Sequence, residues 1–207
     1  MIKERHIRSE ALLLCGGLSK RFGQDKRFLI VRGIPLFLYQ YKKLKSCFIS
    51  VKVLIKNEDT LYKFLPREDI IFEKENDNAM LIGIYNGLKN LKGDEGFFLA
   101  VDMLNIPVEL MRKIFKYKNF LAVFPFYNDK IHFGCSLINK KAINIIEEKI
   151  LNKEYALKNL IKNDDFFIWN IEKEEWAKKY NNLFFNINKK EDLIYERHSN
   201  YWRKRTR

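Results

Sequence analysis

Ala11-Leu12-Leu13-Leu14-Cys15-Gly16-Gly17-Leu18-Ser19-Lys20-Arg21-Phe22-Gly23-Gln24-Asp25-Lys26 is the stretch on which the reading of this chain turns. Ala11 to Cys15 form a short apolar run of the length of a buried strand. The residues from Gly16 to Lys26 pack three glycines, a serine and three cations into a single connection. Without side chains at 16 and 17, backbone N–H groups can approach an anion closely, as polyphosphate-binding turns require. Arg21 can fork two donors onto phosphate oxygens, and Lys26 brings a compact point charge for a departing pyrophosphate. The glycine spacing is not that of a dinucleotide fingerprint. Nor is this the triphosphatase loop, which ends in Lys followed by Ser or Thr, because Arg27 follows Lys26. The competing reading is a glycine-rich turn with solvated charges.

Beyond this stretch, apolar runs bounded by turn residues alternate with helix-period segments to about residue 120, the rhythm of stacked βα units. It predicts an α/β fold with a parallel or mixed sheet covered by helices. Strands are expected at Ala11–Cys15, Ser50–Lys56, Ile70–Phe72, Phe97–Val101 and Leu121–Phe124. Helices are expected at Pro35–Leu44, Thr60–Leu65, Ala79–Leu91 and Pro107–Phe115, with Pro35 and Pro107 in the first turns. After residue 125 the pattern loosens: strands near Phe133–Ile138, Phe166–Trp169 and Leu183–Phe185, and helices near Lys141–Ile150 and Glu154–Ile161. No linker or repeat divides the 207 residues, so a single domain is expected.

Lys and Arg total 39 against 26 Asp and Glu, a formal charge of +13, which points to an anionic partner without choosing among nucleic acid, membrane surface and polyphosphate. A biased composition could produce the same excess. No zinc-finger spacing or helix-turn-helix pattern supports a nucleic-acid module. Cys15, Cys47 and Cys135 lack metal-ligand spacing and are odd in number, which fits a reducing cytoplasm. The basic N-terminus precedes an apolar run too brief for a signal or membrane segment.

A second chemical candidate is Asp102, which ends the run Phe97-Phe98-Leu99-Ala100-Val101 and so sits at a strand's C-terminal edge, where open α/β sheets bind ligands. One such carboxylate suffices for Mg²⁺ that is otherwise held by phosphates and water. A helix N-cap or turn role is the alternative.

The stretch Leu14 to Lys26 resembles the signature of the molybdenum cofactor guanylyltransferases (MobA), L-A-G-G-x-S-x-R-M-G-x-D-K. It matches at Leu14, Gly16, Gly17, Ser19, Arg21, Gly23, Asp25 and Lys26, with Cys15 and Phe22 as conservative replacements. Gly33-Ile34-Pro35-Leu36 resembles the family's following G-x-P-L. Phe184 to Leu193 resembles its F-x-N-x-N-T-P-E-D-L through Asn186 and Asn188, with Lys189 and Lys190 replacing Thr and Pro. The middle G-P-L-A-G element is weaker, with Ala79 and Met80 where Gly and Pro are usual and only Gly83 kept.

The resemblance implies a three-layer Rossmann-like nucleotidyltransferase fold with a mostly parallel, mixed sheet. Its nucleotide half would span residues about 8–120 and its acceptor half about 121–200. It implies transfer of GMP from GTP to the phosphate of molybdopterin or the molybdenum cofactor, with Mg²⁺ as cofactor and other proteins of that pathway as partners. Neither nucleic acid nor membrane is implied. Arg21, Lys26 and Asp102 are carried over as catalytic, with Asp102 holding the metal. Leu14, Cys15, Gly16, Gly17, Ser19, Gly23, Asn57, Gly83, Asn186 and Asn188 are carried over as ligand-binding. The acidic nucleotide-side residue is Glu73 or Asp77, and His132 falls near an acceptor-side element. Each has a plainer alternative: packing for Cys15 and His132, turn chemistry for Asn57, a helix cap for Asn188. A molybdopterin cytidylyltransferase or a sugar-phosphate nucleotidyltransferase is the alternative activity, although cytidylyl relatives usually carry L-A-A-G where Gly16-Gly17 stand.

Overall fold

A computed structural model describes residues 6–16, 25–56, 60–73, 79–162, 164–187 and 192. The chain opens with β1 (Ile7–Leu14), a small hairpin of β2 (Ile30–Val31) and β3 (Ile34–Pro35), then α1 (Leu36–Lys45) and β4 (Phe48–Lys56). A short β5 (Ile70–Glu73), α2 (Met80–Asn90), β6 (Glu95–Ala100) and α3 (Val108–Lys113) follow. The remainder supplies β7 (Ala122–Tyr127), β8 (Lys130–Ile131), β9 (Cys135–Asn139), α4 (Ile143–Leu151) and β10 (Phe166–Asn170).

The main sheet runs β10-β7-β9-β6-β1-β4-β5, with β8 hanging on β7. β1 is parallel to β4 and β6, β4 to β5, and β7 to β10, whereas β9 is antiparallel to both β6 and β7. The sheet is therefore mixed and mostly parallel. Apolar residues alternate between its faces: Ala11, Leu13 and Cys15 join one core with Leu36, Phe37, Leu44 and Leu110, while Leu12 and Leu14 join the other with Leu81, Ile84, Leu88 and Ile146. α1 and α3 thus cover one face and α2 and α4 the other, giving three layers.

This order places the functional edge. The chain moves outward from β1 to β4 and β5, then crosses to the opposite side of β1 to lay down β6. The C-terminal ends of β1 and β6 are adjacent, and the connections that follow them run to opposite sides of the sheet, which makes this the switch point at which open α/β sheets take ligands.

Three expectations need correcting. Leu183–Phe185 is no strand: Phe184 has a positive φ of 58°, and the neighbouring Asn186 makes an isolated antiparallel bridge to Met103 in place of a ladder. The helices expected at Thr60–Leu65 and Glu154–Ile161 are 3₁₀ turns, Thr60–Phe64 and Leu157–Lys162. The first is cut off by Pro66, which cannot continue a helical hydrogen-bond ladder. Pro35 and Pro107 cap their helices from one residue outside rather than opening the first turn.

Candidate active site

The cleft at the switch point has a volume of about 210 Å³ and collects residues from four strand ends. Leu14 and Gly16 come from β1, Lys56 from β4, Glu73 from β5, and Ala100, Val101 and Asp102 from β6. Ala79, Met80 and Gly83 close it from the start of α2, and Lys26 enters from the far end of the first βα connection.

The backbone geometry explains how Gly16 and Asp102 come to face one cavity. Leu14 and Ala100 are register partners, and the Val101 N–H donates to Leu14 O at 3.2 Å, so both chains leave the sheet side by side. Asp102 then receives Lys26, whose Nζ lies 2.5 Å from Oδ2, with each side chain about one-fifth exposed. Lys26 is itself fixed by its neighbours. Asp25 caps the 3₁₀ turn Lys26–Phe28 by accepting from the Arg27 N–H at 3.0 Å. The Arg27 guanidinium grips the same carboxylate, Nε at 2.8 and 2.9 Å and Nη2 at 2.5 Å, and donates from Nη1 to Cys15 O at 2.9 Å. Burial pushes the Asp25 carboxyl up, but the hydrogen bonds from Arg27 and the charges of Arg27 and Lys26 outweigh it and hold the carboxyl below its ordinary value. Arg27 thus ties the returning end of the connection to the end of β1.

Glu73 is 5% exposed and occupies the space between Gly16 and Gly83. A Cβ on Gly16 would lie 2.5 Å from Glu73 Oε2, and one on Gly83 would lie 3.0 Å from Oε1. A side chain at either position would meet the carboxylate that lies between them. Lys56 Nζ stands 3.7 Å from Glu73 Oε2, a second cation at the cleft wall.

The turn bearing Asp102 is braced by the C-terminal segment. Leu104 N donates to Phe185 O at 3.1 Å and Ile187 N to Asp102 O at 3.0 Å, on either side of the Met103–Asn186 bridge. The position of Asn186 beside the Asp102 turn is how two motifs far apart in sequence come together.

Of the residues anticipated from sequence, Leu14, Gly16, Lys26, Gly83, Asp102 and Glu73 line the cleft, and Asn186 lies behind it. Gly17, Ser19, Arg21, Gly23, Asn57, Asp77 and Asn188 lie outside the described residues. Cys15 does not reach the cleft wall: its side chain is fully buried in the core, its N–H donates to Leu54 O, and its carbonyl accepts from Arg27. His132 also lies away from the cleft. Its ring stacks on Phe184 with centroids 4.1 Å apart, Nε2–H donates to Tyr127 O at 3.0 Å, and burial lowers its pKa. Lys56 and Arg27 were missed. The signal available for each was one charge at the end of a strand or motif.

Among the described residues no group of three or more His, Cys, Asp or Glu side chains could hold a metal ion. That excludes an all-protein cage there but fits Mg²⁺, which takes one or two carboxylates and fills its octahedron with phosphate oxygens and water. Asp102, a partly exposed carboxylate beside a cation that suits phosphate, has the donor chemistry for that ion.

Residues 11–166 match the model of the MobA-like NTP transferase domain. The chain belongs to this family. A MobA-like relative from Thermococcus gammatolerans, described as a "probable molybdenum cofactor guanylyltransferase", is 32% identical over 87% of this chain and 95% of its own. A second with the same description, from Aquifex aeolicus, is 29% identical over 87% and 86%. In fold, the chain superimposes on the crystal structure of molybdopterin-guanine dinucleotide biosynthesis protein A from Archaeoglobus fulgidus with a TM-score of 0.73. That match covers 90% of this chain and 95% of the other at 19% identity. The fold is thus that of a Rossmann-like NTP transferase domain, and the MobA-like match, residues 11–166, contains every residue that lines the cleft.

Proposed function

We propose that this MobA-like enzyme transfers GMP from GTP to the terminal phosphate of molybdopterin or its molybdenum form and releases pyrophosphate. The observation that carries the reading is the meeting of Lys26 and Asp102 at 2.5 Å in the cleft opened by Gly16. A cation for phosphates and a carboxylate for their counter-ion stand side by side at the sheet's switch point.

In this reading the triphosphate lies along the Gly16 turn, and Lys26 leaves Asp102 to neutralise charge on the departing pyrophosphate. Arg21 joins it from the sequence motif. Asp102 is the residue that would hold Mg²⁺, which when bound supplies charge neutralisation at the phosphate oxygens. Glu73 and Lys56 line the cleft, and in this reading Glu73, rather than Asp77, is the acidic group of the nucleotide side. The acceptor phosphate attacks the α-phosphorus in line. With a second pKa of about 6, a phosphate monoester is already largely dianionic at neutral pH, so no strong protein base is needed. Asp102 and Lys26 therefore work by position and charge. Residues from about 121 onward form the acceptor side, with other proteins of the same pathway delivering the acceptor.

Thermal-shift titrations with GTP, CTP and UTP in Mg²⁺ test the base. Selective stabilisation by GTP is expected, and selective stabilisation by CTP would reassign the chain to the cytidylyl type.

A further inference from the structure

We propose that Gln40 and Lys43, one turn apart on α1, are positioning residues that set the Asp102 carboxylate for the metal-bound triphosphate. The inference rests on the reading of Asp102 as the metal-binding carboxylate.

The side chain of Gln40 is fully buried, and its Nε2 donates to two carbonyls, Val101 O at 3.3 Å and Met103 O at 2.7 Å. These belong to the residues immediately before and after Asp102. Lys43 Nζ continues the row by donating to Leu104 O at 2.9 Å. The N–H groups of Val101, Met103 and Leu104 donate in turn to the carbonyls of Leu14, Ala100 and Phe185. The backbone on either side of Asp102 is thereby anchored through the Val101 and Met103 carbonyls and through the Val101, Met103 and Leu104 N–H groups.

The chemistry of α1 argues that these donors serve the turn rather than the packing. Gln40 and Lys43 lie among Leu36, Phe37, Tyr41 and Leu44 on a helix that covers one face of the sheet. Placing an amide and an ammonium there carries a desolvation cost that Leu or Met of similar volume would avoid. Burial depresses the Lys43 pKa to about 8, with the Cys47 and Cys135 thiols and Arg32 as the ionisable groups facing it. Groups behind a metal ligand fix its orientation, and their loss characteristically weakens metal affinity and turnover while leaving the ligand in place.

The test uses the whole chain with Mn²⁺ as a paramagnetic probe and a non-hydrolysable GTP analogue. The variants are Gln40→Met and Lys43→Met, which keep volume and remove the donors, and Lys43→Arg, which restores a donor. Each methionine variant is expected to weaken Mn²⁺ binding in the presence of the analogue about tenfold and to lower kcat with KM for GTP little changed. Lys43→Arg should recover most of both, and metal-free binding of the analogue should stay as in wild type. Methionine variants that melt earlier yet keep wild-type Mn²⁺ affinity and kcat would overturn the proposal, reducing both residues to scaffolding. Equal Mn²⁺ binding by wild type and Asp102→Asn would instead bring down the reading of Asp102, and this inference with it.

Discussion

Lys26 and Asp102 pair with each other, so a cation brought to Asp102 competes with an ammonium already beside it. A divalent ion at Asp102 must displace an ammonium 2.5 Å away, and the triphosphate offers that ammonium its replacement partner. Lys26→Met is therefore expected to bind Mn²⁺ more tightly than wild type in the absence of nucleotide, yet to lose about 100-fold or more in guanylyl transfer. Weaker Mn²⁺ binding by this variant in titration calorimetry would contradict the account. Lys43 yields a prediction of a different kind. Its pKa is about 8 in the folded chain against an ordinary 10.5, so between those pH values the unfolded chain holds a proton that the folded chain has shed. The penalty is full below pH 8 and is relieved as pH rises toward 10.5, on the order of 3 kcal/mol in all. Urea melts of wild type and Lys43→Met at pH 7 and pH 10 should show wild type gaining on the variant at the higher pH. A difference that does not change with pH would remove the depressed ammonium from the picture.

At the scale of elements, the cleft depends on strand ends that leave the sheet together and on a carboxylate threaded between two glycines. Gly16→Ala would set a Cβ 2.5 Å from Glu73 Oε2, and the end of the Glu73 side chain has to give way. GTP affinity is expected to fall about tenfold while the melting temperature stays close to wild type, since the displaced atoms belong to a side chain rather than backbone. Unchanged affinity would mean that Glu73 is not part of the nucleotide side. The strands that build this cleft were readable because parallel strands buried on both faces appear as unbroken apolar runs, as at Ala11–Cys15 and Phe97–Val101. Leu183–Phe185 misled for the same reason. Leu183 and Phe184 are only 4% exposed, but hydrophobicity reports burial and not conformation, and Phe184 turns through a positive φ. Lys26, Gly16 and Asp102 could be found from motif composition. Gln40, Lys43 and Arg27 could not, because each acts through backbone carbonyls or a neighbouring carboxylate that only the folded chain brings near.

Across the whole molecule, the strand order puts Gly16 after β1 and Asp102 after β6 beside each other, in a chain whose formal charge is +13. Such an excess draws any polyanion at low ionic strength, but contacts that depend on dispersed surface cations weaken steeply with salt. DNA binding seen at low salt is thus expected to vanish at physiological ionic strength while Mg²⁺-dependent GTP binding persists, as filter binding and calorimetry can establish. Salt-resistant DNA binding that GTP fails to displace would favour a nucleic-acid module instead. No described helix is long and apolar enough to cross a membrane. The most direct measurement of the central claim is transfer of label from α-phosphate-labelled GTP to molybdopterin in the presence of Mg²⁺, with wild type and Asp102→Asn side by side. The account predicts a labelled dinucleotide product together with pyrophosphate, and a loss of about 100-fold or more in the variant. Label arriving from CTP in preference to GTP, or an Asp102→Asn chain that transfers at the wild-type rate, would contradict it.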